Sequence, residues 1–521
     1  MKLKFLFITV LMVVLAACSN IAVDHSNMDH GEAERNDSVE EVAVEEQDGK
    51  KVFNIEVKEA HWMLNDELMF DAWTYNGSLP GQEIRVKEGD EVVLNVKNSL
   101  SVPTAIHLHG FPVPNEMDGV PGVTQNAIMP GEEFVYEYTA DVPGTYWYHS
   151  HQNGAVQVDM GLYGVFIVEP KNQPEYDVDE LIVIDEWSSM MEEMGMDHSD
   201  MDHGNMHHGG HGGHGGHGGH GSHDMHGGMD HEGMSHAEMM NMMYDTMVIN
   251  GKATPAIAPI EVEEGDTTKL RFLNAGLFTQ VVSIPGHSFK VTHYDGQEVN
   301  EPEWISETAF RIAPAERYEV EIKMDQPGAW GIEIFAVENP QNLQALVPIV
   351  YSGFEVAELE TSTFSNYFDF TNYGSPKEIS IGEITKEYDM LLGTEDSGET
   401  FTINGKQFPN HEVYEVEEGD VVKFTITNDT EVDHPMHLHG EFFYVLSKDG
   451  EPIKGSPIKK DTLNVRPNET YEIVFEAKNP GIWMFHCHEF HHANGGMVAE
   501  VIYKGFEPTF ELDPDVPNQP E

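Results

Sequence analysis

One phrase occurs three times in this chain, and it constrains the fold more than any other feature. Tyr75-Asn76-Gly77 leads to Glu88-Gly89-Asp90, Ile249-Asn250-Gly251 to Glu264-Gly265-Asp266, and Ile403-Asn404-Gly405 to Glu418-Gly419-Asp420. An alternating apolar run follows each Glu-Gly-Asp: Val92 to Val96, Leu270-Arg271-Phe272, and Val421 to Ile426. A second phrase also recurs, as Pro143-Gly144-Thr145-Tyr146-Trp147, Pro327-Gly328-Ala329-Trp330 and Pro480-Gly481-Ile482-Trp483. Self-similarity at long period means tandem domains. Alternating strands bounded by Asn-Gly and Pro-Gly turns make each copy an antiparallel β-sandwich. The expected fold class is therefore all-β, with domains at 51–172, 173–355 and 376–506 and a linker at 356–375.

Lys2 and Lys4 precede a short apolar run from Phe5 to Val14, then Leu15-Ala16-Ala17-Cys18. A basic start, a short apolar stretch and small residues before the cut form an export signal over residues 1–18, too short to span a membrane comfortably. The ending resembles a bacterial lipobox, which implies a lipoprotein acylated at Cys18 and anchored to the cell membrane; the alternative is an ordinary cleaved signal. Residues 19–50 read as an acidic flexible tether and 507–521 as an acidic tail. The chain is expected to be a monomer.

The only other cysteine is Cys487, so a mature chain beginning at Cys18 has one thiol and no internal disulfide. Metal ligation is the obvious reason for an exported protein to keep it. The formal charge of −63 excludes nucleic acid as a partner, because phosphates would be repelled. It would gather cations, although adaptation to a salty or alkaline habitat explains it equally well.

Four short motifs carry the chemistry. They are His107-Leu108-His109-Gly110, Trp147-Tyr148-His149-Ser150-His151, His434-Pro435-Met436-His437-Leu438-His439-Gly440, and His486-Cys487-His488-Glu489-Phe490-His491-His492 with Met497 beyond it. Residues two apart on a strand share a face. Each His-X-His therefore presents two imidazoles to one side, and four such pairs exceed the needs of a single ion. Cys487 faces away from His486 and His488, so a metal on its thiolate is one residue of backbone from the cluster. His434, Cys487 and His492 with Met497 match a trigonal His₂Cys copper site with a weak axial methionine.

These motifs resemble those of the multicopper oxidases, and the resemblance spans nearly the whole mature chain. It implies three tandem cupredoxin-like Greek-key domains and four copper ions, one type 1, one type 2 and two type 3. Carried over by position, it implies type 2 copper on His107 and His437. One type 3 copper would sit on His109, His149 and His488, and the other on His151, His439 and His486. It also implies reduction of O₂ to water, with Asp118 near the cluster helping to deliver protons. The choice of His492 over the adjoining His491 rests on the family's spacing. Many bacterial members carry a glutamate just after that histidine, where this chain has Ala493, so proton delivery falls to Asp118 and Glu489 or follows another route.

In the middle repeat Ser283 and Pro285 stand where His437 and His439 stand in the third, and Trp330 is followed by no histidine pair. The cluster is therefore expected between the first and third domains, with the second as a spacer and His287 and His293 as ordinary histidines. The second domain also contains an insert at 189–243. It includes His208, His211, His214, His217 and His220, each separated by two glycines, and three Met-Asp-His units. Thioether and imidazole are both copper ligands, so the insert is expected to hold extra copper ions; the alternative is a low-complexity linker. The favoured electron donor is Cu(I), in copper detoxification. A laccase acting on phenols or aromatic amines, and a copper-sequestering surface lipoprotein, are the competing functions.

Overall fold

The structure is a computed structural model that describes residues 42–172, 174–188, 243–356, 358–395 and 400–520. The export signal with Cys18, the first part of the expected tether and the insert from 189 to 242 lie outside the described residues.

Three pairs of sheets follow one another along the chain. The first pair has five and four strands, the second six and six, and the third seven and five. Each pair opens in the same way. The segment Lys51–Val57 runs parallel to Val92–Asn98, Val178–Ile184 to Thr268–Asn274, and Lys386–Leu392 to Val422–Asn428. In every case the second member is the run after Glu-Gly-Asp.

The repeated asparagine explains how the phrase builds the sandwich. Asn76, Asn250 and Asn404 all have left-handed backbones, with φ of 58°, 49° and 53°, which asparagine tolerates better than most residues. Each side chain also stitches the strand that opens the domain's parallel pair. Asn76 Nδ2 donates to the Asn54 carbonyl at 3.0 Å, Asn250 Nδ2 to Leu181 at 2.8 Å and Asn404 Nδ2 to Asp389 at 2.9 Å. Each Oδ1 accepts in return from the backbone N–H of Glu56, Val183 or Leu391. No other side chain combines that backbone with both a donor and an acceptor.

The strand faces tell where the domains meet. Glu91–Asn98 alternates between buried and accessible positions, as a half-buried strand must, whereas Thr267–Asn274 is buried on both faces. Arg271 on its outer face donates to Thr145 Oγ1 of the first domain at 2.7 Å. The middle domain is thus packed against its neighbour through polar groups.

Two expectations about connectors need correction. Val44–Gln47 is a strand paired with the start of Lys50–Met63 across Asp48-Gly49, so the tether ends before residue 44. Asp-Gly suits a tight hairpin, because both residues accept positive φ, here 53° and 86°. Within 356–375, Asn366–Tyr367 adds a strand alongside Thr308–Ala309, so the second domain extends into the expected linker.

Candidate metal centre

Two ladders bring the histidines together. In the first domain His107–His109 pairs with Gly144–His149, placing His107 opposite His149. In the third, His434–Leu438 pairs with Ile482–Cys487, placing His437 opposite His486 and Met436 opposite Cys487. The ladders face each other: the His109 and His437 rings stack at 3.7 Å between centroids, and His107 and His439 at 4.1 Å. Three groups result whose ligand atoms lie within 4.8 Å of one another: His107, His109 and His437; His109, His149 and His488; His151, His439 and His486. A fourth group joins His434, Cys487 and His492, with Cys487 Sγ 3.6 Å from Nδ1 of each histidine. Met497 is fully buried, and its carbonyl accepts the Cys487 N–H at 3.1 Å.

The imidazoles are oriented for metal. His107 Nδ1 donates to the Asp118 carbonyl, His149 Nδ1 to Ser150, His437 Nδ1 to Asp461 and His486 Nδ1 to Cys487. Those protons leave Nε2 with a lone pair, and Nε2 of His107, His149 and His437 is buried with no protein partner. His439 Nε2 and His486 Nε2 face each other at 3.0 Å although both rings are protonated at Nδ1. Two lone pairs so close repel unless a cation lies between them. Neutral imidazole and thiolate donors in this number fit copper, and the buried atoms without partners are explained by it.

His109 is turned the other way. Its Nε2 contacts Asp461 Oδ1 at 3.2 Å and Thr462 Oγ1 at 3.0 Å, and its Nδ1 is the buried atom without a partner. Motif spacing could not show Asp461 or Thr462, which lie more than 350 positions away in sequence.

Asp118 lies where it touches histidines of both ladders. Its Oδ2 accepts from His439 Nδ1 at 3.0 Å, and its Oδ1 is 3.3 Å from His107 Nδ1. Glu489 caps the short helix Phe490–Asn494, accepting the His492 N–H at 2.6 Å, and burial pushes its carboxyl up to about 8. Ala493 packs with Val120, Met484 and Val498 in an apolar pocket, so no proton carrier occupies that position. His287 is satisfied by Tyr351 Oη and the Pro285 carbonyl, and His293 by Glu319. The middle domain keeps the scaffold without the ligands. A Cβ on Gly286 would lie 2.5 Å from the Trp330 ring, as one on Gly440 would from Trp483, which aligns Pro285 with His439.

Burial is the main cause that holds these imidazoles neutral, and neighbouring histidines add to it. His434 and His486 are pushed down to about 3, and His109, His149, His151, His437, His439 and His488 lie well below the usual range. Unfolded histidine protonates near pH 6.5. The histidines' contribution to the metal-free fold is therefore full above that pH and is lost as pH falls toward 3, because over that range the unfolded chain takes up the protons. The Tm of metal-free protein is expected to fall steeply between about pH 6.5 and 4.5, and much less after copper loading. Matched decline in both forms would contradict this account.

The acidic tail closes one side of the site. Asn518 Oδ1 accepts the Ala127 N–H at 2.8 Å, Gln152 Nε2 donates to the Pro517 carbonyl at 2.9 Å, and the Pro520 carbonyl accepts from His151 Nδ1. Outer partners of metal-binding histidines are each worth roughly 10- to 100-fold in metal affinity. Deleting residues 513–521 is expected to weaken cluster copper retention by about that factor, measured as copper per chain after dialysis against a chelator.

Comparisons with known proteins agree with this geometry. Family models described as multicopper oxidase match residues 56–173, 222–353 and 383–505. The chain is 30% identical over 448 residues to multicopper oxidase MmcO of Mycobacterium tuberculosis, covering 82% of each chain. It is 25% identical to copper resistance protein A of Escherichia coli, covering 82% of this chain and 89% of that one. Among solved structures, Fet3p, a multicopper oxidase that functions in iron import, superposes with a TM-score of 0.70 at 23% identity, covering 87% of this chain and 90% of that one. Three matched segments, a relative aligned over most of both chains, and facing histidine ladders beside a buried thiol together place this chain in the multicopper oxidase family.

Proposed function

We propose that the chain is an exported, lipid-anchored oxidase that holds four coppers and takes its electrons from Cu(I). His434, Cys487, His492 and Met497 hold type 1 copper, and His107 and His437 hold type 2. His109, His149 and His488 hold one type 3 ion, and His151, His439 and His486 the other. Bound copper supplies one-electron acceptance at Cys487 and four-electron reduction of O₂ to water at the cluster. The chain's own part is to fix the ligands, exclude water and move protons. Asp118 Oδ2 bonds a ligand of the third domain, which places a proton acceptor against the cluster wall.

The donor assignment is carried by a row of carboxylates, Asp185 and Glu186 buried at its centre, where the second domain meets the helix bearing His492. Burial raises Asp185 to about 7 and holds Glu186 well above its usual range, the partly buried Asp159 is raised to about 8, and Glu338 lies beside them at the surface. Asp185 further raises Asp159 and Glu186, while Glu338 raises Glu186 and Glu489. Asp159, Asp185 and Glu186 are partnered by the neutral donors Tyr244, Tyr163, Trp187 and Gln280, so a cation would gain from them a charge interaction that a neutral phenol does not. The insert is rooted at this row: Trp187 pairs with Thr246, and Tyr244 donates to Asp159 at 2.9 Å. A Met- and His-rich segment starting there suits delivery of a soft cation.

The test is steady-state O₂ consumption with Cu(I) and with a phenol, before and after deletion of residues 189–243. Because Trp187 and Thr246 are already paired, the shortened chain can close as a hairpin. Loss of Cu(I) turnover with phenol turnover kept or gained supports the proposal. Undiminished Cu(I) turnover, or none above the uncatalysed rate in the intact protein, refutes it.

A further inference from the structure

Among the described residues the middle domain adds no member to the histidine groups, yet its Arg317 reaches them through Asp461. Arg317 is fully buried and grips Asp461 with both arms, Nη1 at 2.8 Å from Oδ1 and Nη2 at 2.6 Å from Oδ2. Its Nε donates to the carbonyl of Thr145 at 3.1 Å, on the first-domain strand that ends in His149. One guanidinium thus ties the first domain to the third. Asp461 in turn meets both ladders: its Oδ1 lies 3.2 Å from His109 Nε2, and its carbonyl accepts from His437 Nδ1 at 3.0 Å. Thr462 Oγ1 donates to Asp461 Oδ1 at 2.8 Å and lies 3.2 Å from His437 Nδ1. The rest of the network is also buried. Asp295 Oδ1 accepts the Arg317 N–H at 2.9 Å, and Lys460 Nζ is 3.1 Å from both Asp295 and Glu316.

Backbone sterics point to the same place. Gly110 follows His109 directly with φ at +75°, and a Cβ there would lie 2.3 Å from Asp461 Oδ2 and 2.6 Å from Arg317 Nη2. The ion pair is pressed against the main chain that carries the first histidine pair.

We propose that Arg317 is a positioning residue for the copper cluster, acting through Asp461 to hold His109 with its Nδ1 toward the metal while fixing His437 through the same residue's carbonyl. The bidentate grip leaves Asp461 Oδ1 facing His109 Nε2, so the ring's proton stays there and its lone pair is at Nδ1. This gives the middle domain a task at the cluster beyond spacing, and it rests on the cluster assignment above.

The test compares Arg317→Lys, Asp461→Asn and a control, Arg271→Lys. Arg271 is another buried arginine of the same domain; it contacts Thr145 Oγ1, Asp179 and Glu319 but no residue that touches the cluster. Three readouts separate the outcomes: the blue Cys487–copper absorption, the type 2 EPR and type 3 near-ultraviolet signals, and copper per chain after chelator dialysis. Wild-type protein must first show all the signals with four coppers; if it does not, the cluster assignment fails and not this inference. The proposal expects Arg317→Lys and Asp461→Asn to keep the blue band while cluster copper is retained roughly 10- to 100-fold less well. Arg271→Lys is expected to keep every signal. The proposal is overturned if either cluster-side variant keeps full type 2 and type 3 signals, if both lose blue and cluster signals together, or if the control behaves as they do.

Discussion

Replacing Cys487 by serine is expected to bring O₂ consumption down to the uncatalysed rate while the fold survives. The thiol is fully buried and sits 3.6 Å from Nδ1 of both His434 and His492, so serine leaves two imidazoles but removes the soft anionic donor. The same residue is the backbone link between that site and His486 and His488, so the thiol stands one residue from two cluster histidines. Stability should fall by only about 1–3 kcal/mol, the cost of a buried hydroxyl whose shorter bond leaves it out of reach of either ring nitrogen. The blue absorption is expected to vanish, with type 2 and type 3 signals kept. Residual turnover above background would place the electron entry elsewhere. In cells the variant should lose copper tolerance; a sequestering protein would keep it.

Asp118→Asn is expected to be nearly as damaging, by a different cause. Reduction of one O₂ consumes four protons, and Asp118 is the carboxylate that contacts His439 and His107, one from each ladder. Asparagine is close in size, and its amide oxygen can still accept from His439 Nδ1, but it cannot carry a proton. General acid–base groups contribute roughly 10²–10⁴-fold, so kcat should fall by about 10²-fold or more. Reduction of the Cys487 site should stay at the wild-type rate. A solvent isotope effect that grows in the variant would identify the slowed step as proton delivery. Unchanged kcat would shift the role to Glu489, whose position is fixed by its bond to the His492 N–H.

Much of this site was readable because strand geometry turns spacing into direction. A period of two puts both histidines of a His-X-His on one face, and puts Cys487 on the opposite face from its neighbours. The Asn-Gly phrase was legible for a similar reason, since few residues accept its backbone. Arg317, Asp461 and Thr462 left no such trace. Each is a single residue whose contact depends on how two sandwiches dock, and no local period encodes docking. The tail is equally silent: it is held by Asn126, Gln152 and Asn518 and by backbone groups, so its acidic, proline-containing composition reads as solvated chain. The hairpin at residues 44–50 did carry a signal, Asp48-Gly49, which acidic composition outweighed in the reading of a tether.

The cluster's two halves also set a timetable for its birth. His151 completes the first-domain half, but the facing half ends only at His488, and His492 completes the Cys487 site. At roughly 5–20 residues per second of synthesis, the early histidines wait about 20–70 s for their counterparts. In that interval half of the ligand set is missing, and His109 lacks the Asp461 and Thr462 that orient it. Correct loading therefore belongs to the finished chain, after the Pro520 carbonyl has closed over His151. A metal donor that meets the completed protein finds the whole ligand set, whereas one that meets the nascent chain finds half of it.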